Sequence, residues 1–551
     1  MSCHGAVAGH TRPDLPRIAR TPRGHNLSVR PRVLRVSGGL PRDVRPVVGG
    51  LGRRAGCRVL SARAVAAPRG RDTHMGTWRP ATAVAAAALI AGTLLPAAPA
   101  AAVHAAAPGD FNGDGYRDAV LPAPGANVAG KDAAGAVVVL YGSPSGLSAS
   151  RRKTITQNTF GVPGSVEPYD RFGASTATAD LNRDGYADLV VGSPYEDTAY
   201  GVNSGVVMVL WGGRDGLGRG TVLPPPAAGA NQDYGLDVAA ISLGAGARTQ
   251  VLVGGTRVTV AFKGPFSRTG TFGSAVQSAE TDAVGSVALG DLNRNGVPDQ
   301  VAFAGHHAEL SGSRVRVNTT GGQSSPDGLE NGNGLIAATG DVNGDGYADL
   351  VVGDPQEKTH CCDGQLGGRI LVWRGSAQGI ATNAQPEEIT QRTEGVPGSS
   401  ERGDTFGAGV TVADLDRDGL GDIVVGAPNE AVGSVRRAGT VTVIPGRASG
   451  ELGAGSYSFH QETPGVPSIS EHRDCFGTTV SAGDVNRDGR PELLVGAACE
   501  NHYNGAVFVL PGGTSRPTGK GSYAFTANMF GFTQSNSALL GGNGLWWILG
   551  G

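Results

Sequence analysis

The sequence predicts an all-β chain, a seven-bladed β-propeller whose blades carry acidic hairpin loops and whose ring is closed by pairing of its N- and C-terminal segments. Three observations lead there. The chain holds 90 glycines and only 5% aromatics among 551 residues, with no long helix-forming stretch. A sixteen-residue acidic motif occurs six times, and four short apolar pieces accompany each well-preserved copy.

The motif is clearest in GDVNGDGYADLVVGDP, Gly340 to Pro355. It returns as GDFNGDGYRDAVLPAP at Gly109, ADLNRDGYADLVVGSP at Ala179, GDLNRNGVPDQVAFAG at Gly290, ADLDRDGLGDIVVGAP at Ala413 and GDVNRDGRPELLVGAA at Gly483. A seventh unit is degenerate. Tyr234-Gly235 leads eight residues later to Ser242 and SLGAGARTQVLVGG, which keeps the frame and the apolar strand but has lost every carboxylate. The loops then start at 110, 180, 242, 291, 341, 414 and 484, spaced by 49 to 73 residues. A solenoid expects shorter and more uniform units, whereas blades in a closed ring tolerate this variation.

The sixth unit shows the four pieces: TFGAGVTVAD around Phe406, DIVVGAP from Asp422, GTVTVIPG from Gly439 and YSFHQE from Tyr457. Short β-branched runs bounded by glycine turns read as the four strands of one blade. Phe-Gly precedes the loop by eight residues at Phe172, Phe406 and Phe476, as an inner strand entering a hairpin would. The first unit has almost nothing before Asp110 to serve as such a strand, while the chain runs on past the last blade. The tail is therefore expected to complete the first blade, so that no sheet edge is left open. Trp546 and Trp547, at the end of that tail, read as packing or tail residues rather than a ligand platform.

These residues resemble the FG-GAP repeat family (integrin α N-terminal-like, VCBS-type), the seven-bladed propeller of integrin α-chain heads and of many secreted bacterial proteins. DRFGAS with ADLNRDGYADLVVGSP, and DTFGAG with ADLDRDGLGDIVVGAP, follow its pattern. The resemblance covers about residues 108 to 515. It implies the propeller and a metal in the hairpin loops, and it says little about biological role.

In Asp341-Val-Asn-Gly-Asp-Gly-Tyr-Ala-Asp349 the oxygens at positions one, three, five and nine, with the carbonyl of position seven, can wrap a hard cation, and the glycine at six permits the bend. A helical calcium hand needs a carboxylate at position twelve, where this chain has Leu121, Val191, Val352 or Val425. What remains is a β-hairpin whose last ligand stands at position nine, as the resemblance also implies. The expected ligand sets are Asp110, Asn112, Asp114, Tyr116 and Asp118; Asp180, Asn182, Asp184, Tyr186 and Asp188; Asp291, Asn293, Asn295, Val297 and Asp299; Asp341, Asn343, Asp345, Tyr347 and Asp349; Asp414, Asp416, Asp418, Leu420 and Asp422; and Asp484, Asn486, Asp488, Arg490 and Glu492. Oxygen donors in this number suit Ca2+, up to six ions in all. The loop at 414, with four aspartates, is expected to bind tightest, and that at 291, with Asn295, weakest.

Residues 1–74 hold fifteen arginines, three aspartates and no lysine, and read as a mis-called, disordered extension. Met75 opens a signal peptide, residues 75–104, with an apolar run from Ala81 to Leu95 and small residues suited to cleavage. The propeller, 105–551, is then exported and left without a membrane span. Of 46 basic and 48 acidic residues it keeps 30 and 45, a balance that argues against nucleic acid and for cations. The six hairpins carry 18 carboxylates, more than that whole surplus. The acidity therefore belongs mainly to the loops.

Four cysteines remain. Cys475 and Cys499 flank two core strands and can meet in a disulfide, and Cys361 and Cys362 could form a strained vicinal bridge. A zinc site in His360-Cys-Cys-Asp363 is disfavoured by geometry, and His306-His307 reads as a surface turn.

The acids repeat around a ring, each partnered within its own loop, which is not the single cleft pair of a glycosidase. No nucleophile elbow, His-Glu-x-x-His or dinucleotide fingerprint is present. The long repeats contain TITQNTFGVPGSVEPYDRFG, EITQRTEGVPGSSERGDTFG and FHQETPGVPSISEHRDCFG, with Asp170, Asp404 and Asp474 two residues before the Phe. Long loops on a rigid ring are a usual place for binding, although Gly-Val-Pro-Gly also serves as a plain turn. The reading is a secreted, monomeric, calcium-stabilised binding or adhesion module for an extracellular protein or polysaccharide. The alternative is a polysaccharide lyase or hydrolase.

Overall fold

Alternating short apolar strands and glycine turns leave this chain one way to bury its β-branched residues, which is to stack meander sheets face to face. The computed structural model describes residues 109–305, 314–358, 363–533 and 537–542. They form a seven-bladed propeller. The readings for residues 1–108, His306-His307, Cys361-Cys362 and Trp546-Trp547 lie outside the described residues.

Blade 2 is an antiparallel meander of Ser175–Ala179, Asp188–Ser193, Val206–Leu210 and Gly220–Val222. Blades 5, 6 and 7 repeat it, beginning at Ile336–Gly340, Gly409–Ala413 and Phe476–Gly483. Their registers agree: the last residue of the inner strand faces loop position nine, as in Ala179 opposite Asp188 and Ala413 opposite Asp422. Blades 3 and 4 share one continuous sheet of five strands from Asp237–Ser242 to Arg314–Asn318. Within it, the Thr249–Lys263 strand folds back on itself, with Arg257 at φ 61 and the Gly264 N–H donating to Thr249 O at 2.9 Å. In blade 3 Gln250 takes position nine opposite Ile241, and the turn Gly246–Arg248 stands where the acidic loop would be.

The second and third strands of blades 1, 5 and 7 are buried along their whole length, because each sheet is covered on both faces by its neighbours. The core accordingly falls into seven apolar clusters, each spanning one junction between successive blades. Phe172, Tyr234, Phe406 and Phe476, which open the inner strands, are fully buried. The glycine after each is needed as glycine: Gly173 sits at φ 85, and a Cβ there would lie 2.7 Å from Val137 Cγ1. Blade 5 buries a charge as well. Arg369 is 4% exposed and bonds Asp354 at 2.9 Å, Glu388 at 2.7 Å and Asn333 at 2.7 Å. That bonding lets a guanidinium sit where other blades place a small or apolar residue.

Blade 1 has three strands, Ala119–Ala123, Ala136–Leu140 and Arg152–Ile155. Its innermost position is reached from both ends of the chain. Gly109 pairs with Asp118 at the hairpin end. At the other end Gly541 N donates to Pro122 O at 2.8 Å, as Gly173 N donates to Gly192 O in blade 2 and Gly407 N to Gly426 O in blade 6. Leu540-Gly541 thus holds the Phe-Gly place of the first blade, and Leu540 is fully buried among Leu121, Leu494 and Val507. Leu540→Ala should cost about 2–5 kcal/mol of unfolding free energy in denaturant titration. A change below about 1 kcal/mol would mean that this residue does not hold the closure.

Candidate metal centres

Each hairpin places its acids by the same local hydrogen bonds. The first aspartate accepts backbone N–H groups from further along its loop: Asp110 takes Gly113 at 2.7 Å and Gly115 at 2.9 Å, and Asp484 takes Asp488 and Gly489 at 3.1 and 2.8 Å. Position three accepts the N–H of position five, and position five that of position seven, as in Asn112 with Asp114 and Asp114 with Tyr116, both at 3.0 Å. These Asx-type turns curl the loop, although among the described residues only the hairpin at 414 brings three of its carboxylates within 4.8 Å of one another.

Position nine has a second task. Asp118, fully buried, accepts Phe111 N with one oxygen and Gly142 N with the other, both at 2.9 Å. Asp188 does the same with Leu181 and Gly212, Asp299 with Leu292 and Thr320, Asp349 with Val342 and Gly375, and Asp422 with Leu415 and Gly446. Glu492 takes Val485 N at 2.9 Å and the Asn486 amide at 3.0 Å. One carboxylate therefore pins the hairpin to the strand two places out. Burial pushes Asp118, Asp188, Asp299, Asp422 and Glu492 up to about 7 against the pull of those backbone donors. Asp349 rises only to about 6, with Arg374 3.3 Å away also pulling it down.

The residues present fit a hard cation most plainly at 414. Carboxylate oxygens of Asp414, Asp416 and Asp422 lie within 4.8 Å of one another, and Asp414 Oδ1 is buried with no hydrogen-bond partner. Burial, with Asp418 and Asp414 close by, raises Asp416. Among the described residues no lysine or arginine pairs with these three acids, and a hard cation would supply the missing charge. Other loops are partly answered by protein groups. Arg268 pairs with Asp184 at 2.6 Å, and the amides of Asn293 and Asn295 donate to Thr320 O at 3.0 and 2.5 Å.

A disulfide joins Cys475 and Cys499, Cα atoms 5.6 Å apart. Arg171 and Tyr195 occupy the corresponding pair of places in blade 2, the guanidinium 5.8 Å from the ring centre. Sequence reasoning missed three glutamates, Glu196, Glu430 and Glu500, each bonded to a glutamine 39 residues earlier in the chain. Burial pushes all three up to about 7. The constant interval from Gln157, Gln391 and Gln461 was the available signal.

The FG-GAP repeat family model matches residues 102–140, 172–210, 333–373, 406–444 and 476–510, the units with hairpins at 110, 180, 341, 414 and 484. Phosphatidylinositol-glycan-specific phospholipase D of Mus musculus is 31% identical over 163 residues, 29% of this chain and 18% of that protein. Integrin alpha pat-2 of Caenorhabditis briggsae is 30% identical over 229 residues, 38% of this chain and 17% of that protein. Integrin alpha-5 of Xenopus laevis is 30% identical over 225 residues, 38% and 19%. The chain spans less than a fifth of the length of these relatives. A solved exotype rhamnogalacturonan lyase overlaps 81% of this chain and 77% of its own at 12% identity and a TM-score of 0.37, a distance that carries no inference.

Without metal, stability should fall as pH rises from about 4 to about 7, since the folded state holds protons on the ninth-position acids that the unfolded chain has released. Calcium should flatten or reverse that slope. Thermal melting across this window, with chelator and with calcium, measures both, and identical curves would argue against metal in the loops.

Proposed function

Because the chain is a β-propeller built of FG-GAP repeats, we propose that it works outside the cell as a calcium-stabilised module that binds a protein or a polysaccharide. The six acidic hairpins hold the metal through positions one, three, five, seven and nine, and the ion supplies positive charge to loops with little core of their own. The export signal expected before the propeller and the integrin and phospholipase relatives support the extracellular placement. Among the described residues no helix is long and apolar enough to cross a membrane.

The observation that carries binding is where exposed aromatics lie. In a four-stranded meander the first connection leaves one end of the sheet, and the second leaves the other. The acidic hairpins are first connections. Tyr200 and Val202, on the second connection of blade 2, are 64% and 58% exposed, and Tyr169, on the long approach to the same blade, is 61% exposed. Amphipathic rings on loops of a rigid ring suit the flat faces of sugars or the apolar centre of a protein epitope. The acidic balance of the propeller leaves nucleic acid a poor partner.

A glycan and extracellular-matrix array probed with and without calcium tests this reading. Retention that depends on calcium and leaves the ligand intact is expected. Conversion of a polysaccharide to shorter or unsaturated products would instead establish the enzyme alternative. The double variant Tyr169→Ala, Tyr200→Ala should weaken retention about tenfold with an unchanged melting temperature.

A further inference from the structure

Three of the seven blade junctions carry a second kind of acidic cluster, away from the hairpins. It is fullest between blades 5 and 6. Gln391, leaving the outer strand of blade 5, donates Nε2 to Glu430 Oε2 at 2.6 Å. Asp404, just before Phe406, accepts the Glu401 N–H at 2.6 Å. Carboxylate oxygens of Glu401, Asp404 and Glu430 then lie within 4.8 Å of one another. Asp404 and Glu430 are 4% and 7% exposed, and among the described residues no lysine or arginine pairs with any of the three.

Acids alone do not make a site, and here other atoms also lack partners. Gln391 is 4% exposed, and its Oε1 is buried with no hydrogen-bond partner; Ser400, 9% exposed, leaves its Oγ in the same condition. Gln391, Gly398 and Glu430 line a cavity of about 200 Å3. The glutamine–glutamate pair repeats, although among the described residues only the copy between blades 5 and 6 brings three carboxylates within 4.8 Å. Gln157 bonds Glu196 beside Asp170, and Gln461 bonds Glu500 beside Asp474, at 2.6 and 2.9 Å. Both glutamines again have a buried, unpartnered Oε1. In the third copy the Cys475–Cys499 disulfide ties the residues next to Asp474 and Glu500.

We propose that Gln391, Glu401, Asp404 and Glu430 bind a hard divalent cation of the calcium class, and that the Gln157 and Gln461 clusters bind two more. Every donor is oxygen: carboxylates and an amide carbonyl. That set selects calcium over zinc or copper, which favour nitrogen and sulfur. An ion there answers the orphaned amide oxygen and the uncompensated acids together. It also joins neighbouring blades, since its ligands come from the exit of one blade and the second connection of the next. A hairpin ion stays within one blade.

Calorimetric calcium titration of the full chain near neutral pH tests this. Three proteins are compared: wild type, the triple variant Glu196→Gln, Glu430→Gln, Glu500→Gln, and the hairpin variant Asp418→Asn. The triple variant should bind about three fewer ions than wild type, whereas Asp418→Asn should lose one ion at most. Loss in the triple variant with Asp418→Asn unchanged would sustain these sites independently of the hairpin ions. Wild-type stoichiometry in the triple variant overturns the proposal. Glutamine keeps the shape and removes a buried charge, so the chelated triple variant should melt no lower than chelated wild type. As a readout independent of the variants, wild-type crystals soaked in Mn2+ should show anomalous density between Gln391, Asp404 and Glu430, and an empty map there also overturns it.

Discussion

The structure depends on one buried carboxylate per acidic blade. The inner strands are doubly covered and hydrogen-bonded along their length, so their apolar residues need no guidance beyond alternation of strand and turn. The hairpin joining the first two strands is different: it is short, polar and rich in glycine. Asp188, with one oxygen on Leu181 N and the other on Gly212 N, fastens that hairpin to the third strand. The acid must be buried to do this, and burial makes its charge costly. The remaining acids of the loop then stand where a cation can offset that cost.

Blade 3 shows the constraint by departing from it. There Gln250 fills the ninth position, bonding Ala247 O through its amide and accepting from Gln300. Backbone bonds hold the loop there, Leu243 N donating to Arg248 O and Gly264 N to Thr249 O, both at 2.9 Å; the loop tightens into a short 3-10 turn, and no carboxylate is left in it to need a cation. The blade keeps its place in the ring. A blade can therefore dispense with the carboxylate staple and the other loop acids together, whereas the acidic copies keep both.

The fold was legible because its signals are local and repeated. Phe-Gly, the nine-residue loop and the β-branched run each have a mechanism that reads directly from residue type, and their spacing set the blade count. Closure was legible only in outline: a leucine, Leu540, stands where blades 2, 3, 6 and 7 use an aromatic, so no motif marked it. The double role of Asp118 or Asp422 could not be read from the chain, because the partners Gly142 and Gly446 lie a strand away. The Gln–Glu pairs were harder still. Each joins residues 39 apart on two blades, and neither residue type is distinctive alone.

Two kinds of oxygen-rich cluster thus occupy the propeller, one inside blades and one between them, and both leave buried oxygen atoms that protein groups do not satisfy. The central claim is that cations complete the hairpins. Long-wavelength anomalous diffraction from crystals grown in calcium tests it most directly. A peak within coordination distance of Asp414, Asp416 and Asp422, with the weakest of the six at the loop beginning at Asp291, is the predicted result. Hairpins that show only protein hydrogen bonds at saturating calcium would contradict it.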